Sequence, residues 1–127
     1  MKFVANLLVA IHNVSAAEAM VFGMKAGLKA QTLYDVLTDG AGTSRMLEMR
    51  GPMMVANDYA SSVSATQITQ EKDMGIIGAF ARAIGCPTPL FDATAEIYRA
   101  ALDGGYAEAD TASVCAILER RAGLERV

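Results

Sequence analysis

The chain has one histidine, two cysteines, three prolines and more acidic than basic residues, and each shortage closes off a class of function. A lone histidine, His12, cannot build a histidine-rich metal centre. A Ser-His-Asp triad would have to draw on a residue in the middle of an apolar helix, so His12 reads as structural, hydrogen-bonded in the core or at an interface. Cys86 and Cys115 have no CxxC spacing and no histidine beside them, so no metal site and no disulfide framework is expected. Cys115 falls in an apolar helical pattern and reads as a small buried hydrophobe. The eleven Lys and Arg are scattered and outnumbered by fourteen Asp and Glu, which gives a net charge of -3 and no basic field for nucleic acid. Lys2, Asn6, His12, Asn13, Ser15 and Glu18 interrupt the most apolar segment, against a membrane span. No short apolar run ends in a convincing cleavage site, so a cytoplasmic protein is expected. Glycine-rich dinucleotide loops after a strand, Walker loops, GxSxG and HExxH are all missing. No window alternates with period 2, and no repeat or linker is visible, so the expectation is a single all-α, multi-helical domain.

What the chain does have is apolar content of 53%, made largely of Ala and Met rather than long Leu and Ile runs. That surplus points to apolar surface hidden in an interface. It is concentrated in the opening stretch, Met1 to Gly27, where Phe3, Val4, Leu7, Leu8, Val9, Ile11, Val14, Met20, Val21, Phe22 and Met24 point in nearly every direction of a helix. A helix apolar all round is buried on most sides. At about 1.5 Å per residue it would run for roughly 38 Å, longer than a domain of this size is wide. Part of it is therefore expected to lie against another chain or domain. The methionines Met46, Met49, Met53 and Met54 argue the same way, and a dimer or higher oligomer is expected.

Lys25-Ala26-Gly27 supplies a cation in the last turn and a glycine to end the first helix. A second helix spans about Ala30 to Leu37, and Thr43 or Ser44 caps a third that runs to about Arg50. Gly51-Pro52 is expected to interrupt it, since proline removes an amide donor, with at most a short turn through Val55. A second long helix, about Ala65 to Ile84, is expected to bury Ile68, Ile76, Ile77, Phe80 and Ile84 and to stop at Gly85. Two more helices, about Leu90 to Leu102 and Thr111 to Arg121, complete the chain, the latter capped by Asp110.

Three features could carry chemistry. The first is the pair Lys2 and Asn6, one turn apart on one helix face. A lysine in the first turn faces the positive end of the helix macrodipole, which disfavours its cation and suits it to give and take a proton. Asn6 offers a donor and an acceptor to an oxygen held nearby. Taken bare, such a lysine is more often a solvated surface cation. The second is the loop Gly40-Ala41-Gly42-Thr43-Ser44, and the third is Lys72-Asp73 on the second long helix.

The segments Lys2-Phe3-Val4-Ala5-Asn6-Leu7-Leu8, Ala17-Glu18-Ala19, Lys25-Ala26-Gly27-Leu28, Gly40-Ala41-Gly42-Thr43-Ser44, Arg50-Gly51-Pro52 and Lys72-Asp73-Met74-Gly75 resemble, in order and spacing, the C-terminal helical domain of the β-hydroxyacid dehydrogenases. That family includes 3-hydroxyisobutyrate dehydrogenase, tartronate semialdehyde reductase and glyoxylate/succinic semialdehyde reductase, and 6-phosphogluconate dehydrogenase is a more distant relation. The likeness covers essentially the whole chain and implies that fold. It implies Lys2 as proton donor and acceptor to the substrate oxygen during hydride transfer, Asn6 as the group that fixes that oxygen, and Lys72 as a neighbour of the nicotinamide. It sets Ser44 along the cleft and makes Asp73 a local orienting group. Ala5 stands where the family often has a second asparagine. The resemblance implies a small hydroxyacid or semialdehyde substrate, and NAD or NADP bound mainly by an N-terminal Rossmann domain. The chain begins almost at Lys2, so that domain is expected to be absent, no cofactor is expected to bind tightly to residues 1–127, and the chain alone is expected to be inactive. The alternative reading is a free-standing, non-catalytic helical dimerisation module of the same descent.

Overall fold

A computed structural model describes residues 1–126. Six α-helices follow in order: α1 (Lys2–Lys25), α2 (Ala30–Thr38), α3 (Arg45–Ala56), α4 (Gln67–Ala83), α5 (Pro89–Ala101) and α6 (Val114–Ala122). A π turn at Leu102–Tyr106 and a 3-10 turn at Thr111–Ser113 separate the last two. Among the described residues the only β-type pairing is an isolated bridge between Thr66 and Asp110, so the domain is all-α as expected.

The spine is α1, with α2, α3, α5 and α6 packed around it. Its buried residues are Ala10, Asn13, Val14, Ala16, Ala17, Met20, Val21 and Gly23. At 3.6 residues per turn they share one broad arc, and half are Ala or Gly, which lets neighbouring helices approach closely. The opposite arc, with Val4, Leu8 and Phe22, faces outward, so α1 is covered along its middle and open along one side. Gly27, at φ +98°, ends the helix where the sequence places the stop, and the Leu28 amide donates back to the Gly23 carbonyl at 3.0 Å. An 18-residue window of α1 has a mean hydropathy of 1.5, long and apolar enough to cross a membrane despite its polar interruptions; half of it is buried inside the fold. That burial is the packing of a core helix.

The expected break at Gly51-Pro52 does not occur: α3 runs through Pro52 to Ala56. Proline cannot donate to the carbonyl four residues back, which is that of Glu48. The Tyr34 hydroxyl of α2 donates to that carbonyl instead, at 2.9 Å. Gly51 makes room for the same ring, since a Cβ there would lie 2.4 Å from Tyr34 ring carbons. One tyrosine thus satisfies the carbonyl that the proline leaves unpartnered, and the helix continues.

The expected stripe on α4 is also corrected. Ile77 is buried, but Ile68, Ile76, Phe80 and Ile84 are exposed, Ile84 at 62%. The face that α4 does bury is Gln67, Met74, Ile77, Gly78 and Ala81. The helix begins at Gln67 rather than Ala65 because Thr66 caps it, its hydroxyl accepting from the Thr69 amide at 3.2 Å.

Asp110 caps the turn before α6 as read from sequence, accepting from the Ala112 amide at 2.9 Å. It also meets Arg50 of α3, whose Nη1 donates to both carboxylate oxygens at 3.1 and 2.8 Å, with both side chains buried. The Ser64 amide donates to the same carboxylate at 2.9 Å, and Arg50 also reaches the Ser64 hydroxyl. The pair joins α3, the segment before α4 and the segment before α6.

Tyr34→Phe keeps the ring against Gly51 and removes only the donor to Glu48. It is expected to cost about 1 to 2 kcal/mol in urea denaturation with an unchanged m value. Loss of much less than that would show that the proline-disrupted helix does not depend on this hydrogen bond.

Candidate functional site

At about 100° per residue, Lys2 and Asn6 continue the buried stripe of α1 that holds Ala10, Asn13, Ala17 and Met20. Cover thins toward the N-terminus: Ala10 is fully buried, Asn6 is half-buried and Lys2 is exposed. Lys2 stands at the first helical position, with no acidic side chain in that turn and no side-chain cap from Met1. The free amides there present the positive end of the helix. The site is therefore the rim where the covered stripe of α1 emerges into solvent.

Two contacts define what borders it. The rings of Phe3 and Phe80 meet edge to face with centroids 5.2 Å apart, which fastens the tip of α1 to the last turns of α4. At the other end of α4, Gln67 Nε2 and Asn13 Nδ2 both donate to the Thr111 carbonyl, at 3.2 and 3.0 Å. The two helices therefore run antiparallel. Lys72 lies two turns before Phe80, roughly 12 Å along the α4 axis, on the face opposite the one that α4 buries. It is exposed, and no hydrogen bond or ion pair among the described residues joins it to Lys2 or Asn6. Asp73 is half-buried, and Glu71 turns the other way to pair with Arg99 at 3.0 Å. The structure brings Lys2 and Asn6 together on one face and sets Lys72 on a separate one.

The aim of Lys2 and Asn6 depends on residues that the sequence pattern does not single out. The Tyr98 hydroxyl of α5 donates to the Ala10 carbonyl at 2.7 Å, and Asn13 Nδ2 donates to that hydroxyl at 3.2 Å. Burial pushes the Tyr98 phenol well above its ordinary range, so it stays a neutral donor. Together with the bond to Thr111, these contacts fix the rotation of α1 about its axis, and hence the direction in which its first turn points. The sequence signal for Asn13 was its place seven residues after Asn6 on the stripe; read only as an interruption of an apolar run, it carried no such meaning.

The other expected residues are placed as follows. Ser44 caps α3, its hydroxyl accepting from the Leu47 amide at 3.0 Å, and it borders a cleft with His12 rather than the rim at Lys2. His12 is half-buried, and its imidazole has no hydrogen-bond partner among the described residues, which goes against the core half of its expected role and leaves a place at an interface as the other. No cluster of His, Cys, Asp and Glu among the described residues could hold a metal. Cys115 is buried as expected. Burial and the neighbouring Glu119 carboxylate push its thiol up to about 12, although Tyr59 and Arg126 act the other way.

The family described as NAD-binding of NADP-dependent 3-hydroxyisobutyrate dehydrogenase matches residues 1–118. L-threonate dehydrogenase of Escherichia coli K12 is 34% identical over 116 residues, covering 91% of this chain and 38% of that protein. A crystal structure of 3-hydroxyisobutyrate dehydrogenase from Salmonella typhimurium superimposes with a TM-score of 0.86 at 33% identity, over 91% of this chain and 40% of the other. The Mycobacterium tuberculosis 3-hydroxyisobutyrate dehydrogenase solved with L-serine gives a TM-score of 0.80 at 27% identity, over 92% and 42%. The chain spans about two fifths of the length of these relatives.

At pH 8 the native chain is expected to react with Ellman's reagent at Cys86 alone, because a thiol at about 12 is almost wholly protonated there. Both thiols should react in urea. Two fast-reacting thiols in the folded protein would contradict the burial of Cys115.

Proposed function

The chain belongs to the 3-hydroxyisobutyrate dehydrogenase family, and we propose that it supplies the proton-transfer group and the subunit contact of an NAD(P)-dependent hydroxyacid dehydrogenase or semialdehyde reductase. The observation that carries this reading is the emergence of the covered α1 stripe at Asn6 and Lys2, where a proton carrier and an amide leave the fold on one face. In the reductive direction the Lys2 ammonium gives its proton to the carbonyl oxygen of a small semialdehyde. In the oxidative direction the amine takes the hydroxyl proton. Asn6 holds that oxygen through its amide and keeps it within reach of Lys2.

A nicotinamide supplies the hydride when bound. The described residues include no strand, and Gly40 and Gly42 lie in a loop between two helices, unlike the strand-loop-helix unit that commonly holds a dinucleotide. Lys72 is the one residue here assigned to the nicotinamide, and it is free to reach outward. The dinucleotide would therefore be held largely by protein outside residues 1–126, and this chain alone should not turn over substrate.

The same reading accounts for the exposed apolar face. Val4 and Leu8 of α1, with Ile76, Phe80 and Ile84 of α4, form bare surface on the two helices that Phe3 and Phe80 fasten together. We assign it to contact between subunits. It also favours the second reading, a helical dimerisation module that has kept the fold without the reaction.

In the longest reading frame that contains this chain, assayed with NADH or NADPH and small semialdehydes, Lys2→Ala is expected to lower kcat by about 100- to 10,000-fold. Asn6→Ala should raise KM and lower kcat together. Full activity of Lys2→Ala would refute the catalytic assignment and leave the dimerisation module. Sedimentation at micromolar concentration should show at least a dimer, and Phe80→Asp should shift it toward monomer; a monomer in the unaltered chain would refute the interface.

A further inference from the structure

Ten residues along α1 from Lys2, roughly 15 Å further down the helix and about 120° around it from Asn6, His12 borders a second cleft. The cleft measures about 420 Å³ and lies between α1, the end of α2 and the start of α3. Its floor is apolar, with buried Ala16 and Leu47 beside half-buried Leu37. Its rim carries the His12 imidazole, the Arg45 guanidinium and the Thr43 hydroxyl, and no carboxylate lines it. None of those three side chains has a hydrogen-bond or ion-pair partner among the described residues. The Ser44 hydroxyl nearby is already committed to the Leu47 amide.

An apolar floor beneath unpaired donors, one of them a guanidinium, is the pattern of a small-molecule site, and the volume falls within the usual range for one. We propose that this cleft binds a small aliphatic carboxylate, with Arg45, His12 and Thr43 on its oxygens and its alkyl body on Ala16, Leu37 and Leu47. A guanidinium meets a planar carboxylate through two parallel N–H donors. His12 and Thr43 supply single donors to the remaining lone pairs. A phosphate fits less well, because a tetrahedral dianion would press an unsatisfied oxygen toward the apolar floor. The site uses neither Lys2 nor Asn6, so it goes beyond the proposed reaction and stands or falls separately from it.

His12 is the one histidine, so its ring protons are the only imidazole signals in a proton NMR spectrum. At fixed pH and ionic strength, sodium butyrate is expected to move them saturably with a Kd in the millimolar range, while butyramide at equal concentration leaves them in place. Arg45→Gln should weaken butyrate binding by about tenfold or more, corresponding to roughly 1.4 kcal/mol, with an unchanged circular dichroism spectrum and melting temperature. Should Arg45→Gln disturb the fold, Thr43→Val serves as the second variant and should weaken binding severalfold. Lys2→Ala should bind butyrate like the parent, which separates this site from the proposed catalytic one. Ring signals that ignore butyrate, respond equally to butyramide, or titrate unchanged in both rim variants would overturn the proposal. A response to inorganic phosphate without one to butyrate would overturn the choice of carboxylate.

Discussion

The fold depends on a buried charge pair. Arg50 and Asp110 meet at 2.8 Å with almost no exposure, far apart in sequence. Taking two such groups out of water is expensive, and their attraction makes up for it only when the remaining donors and acceptors are also satisfied. Here Asp110 accepts from the amides of Ser64 and Ala112 as well as from Arg50, so its oxygens are fully occupied. Removing either partner would leave an uncompensated charge inside, a loss on the order of 3 to 5 kcal/mol. The pair therefore does less to stabilise the chain than to specify it: other packings of these helices would strand a charge.

That specification passes to α1 through adjacent groups. Thr111, next to Asp110, receives Asn13 and Gln67 on its carbonyl, and Tyr98 closes the set on the Ala10 carbonyl. Each of these bonds crosses from one helix to another segment in the buried interior, where Asn13 Oδ1 and Gln67 Oε1 are left without a partner among the described residues. The result is a helix whose rotation is set by its middle and whose first turn extends beyond the elements that set it. The direction in which Lys2 and Asn6 leave the helix is set by residues one to three turns away.

How much of this could be read in the sequence follows from which interactions are local. The end of α1 at Gly27, the Ser44 cap and the Asp110 cap were legible because each rests on groups within a few residues. Pro52 was misread for the same reason: the rule for proline is local, while the Tyr34 hydroxyl that offsets it comes from another helix. Arg50 could not be matched to Asp110, 60 positions further along the chain, by spacing alone. On α4, the large apolar residues were read as core, yet Gly78 and Ala81 face inward and Phe80 faces largely out. Periodicity reports that a face is apolar and does not report whether the same chain covers it. Of the candidate site, the pair Lys2 and Asn6 was legible as a shared face, and Asn13 was missed because a buried polar residue in an apolar helix looks like a flaw until its partners are known.

The exposed apolar face of α1 and the exposed lysine at its tip lie on opposite sides of the helix. Lys2 sits where water reaches it freely, and proton transfer is generally favoured where water is excluded. Val4 and Leu8 lie on the arc of α1 opposite the stripe that Lys2 and Asn6 continue, while Phe80 rests against Phe3. Burying Val4 and Leu8 against another protein body would release water from both surfaces without by itself walling off the rim at Asn6, on the other side of the helix. Association through that face and exclusion of water from Lys2 therefore call for different contacts.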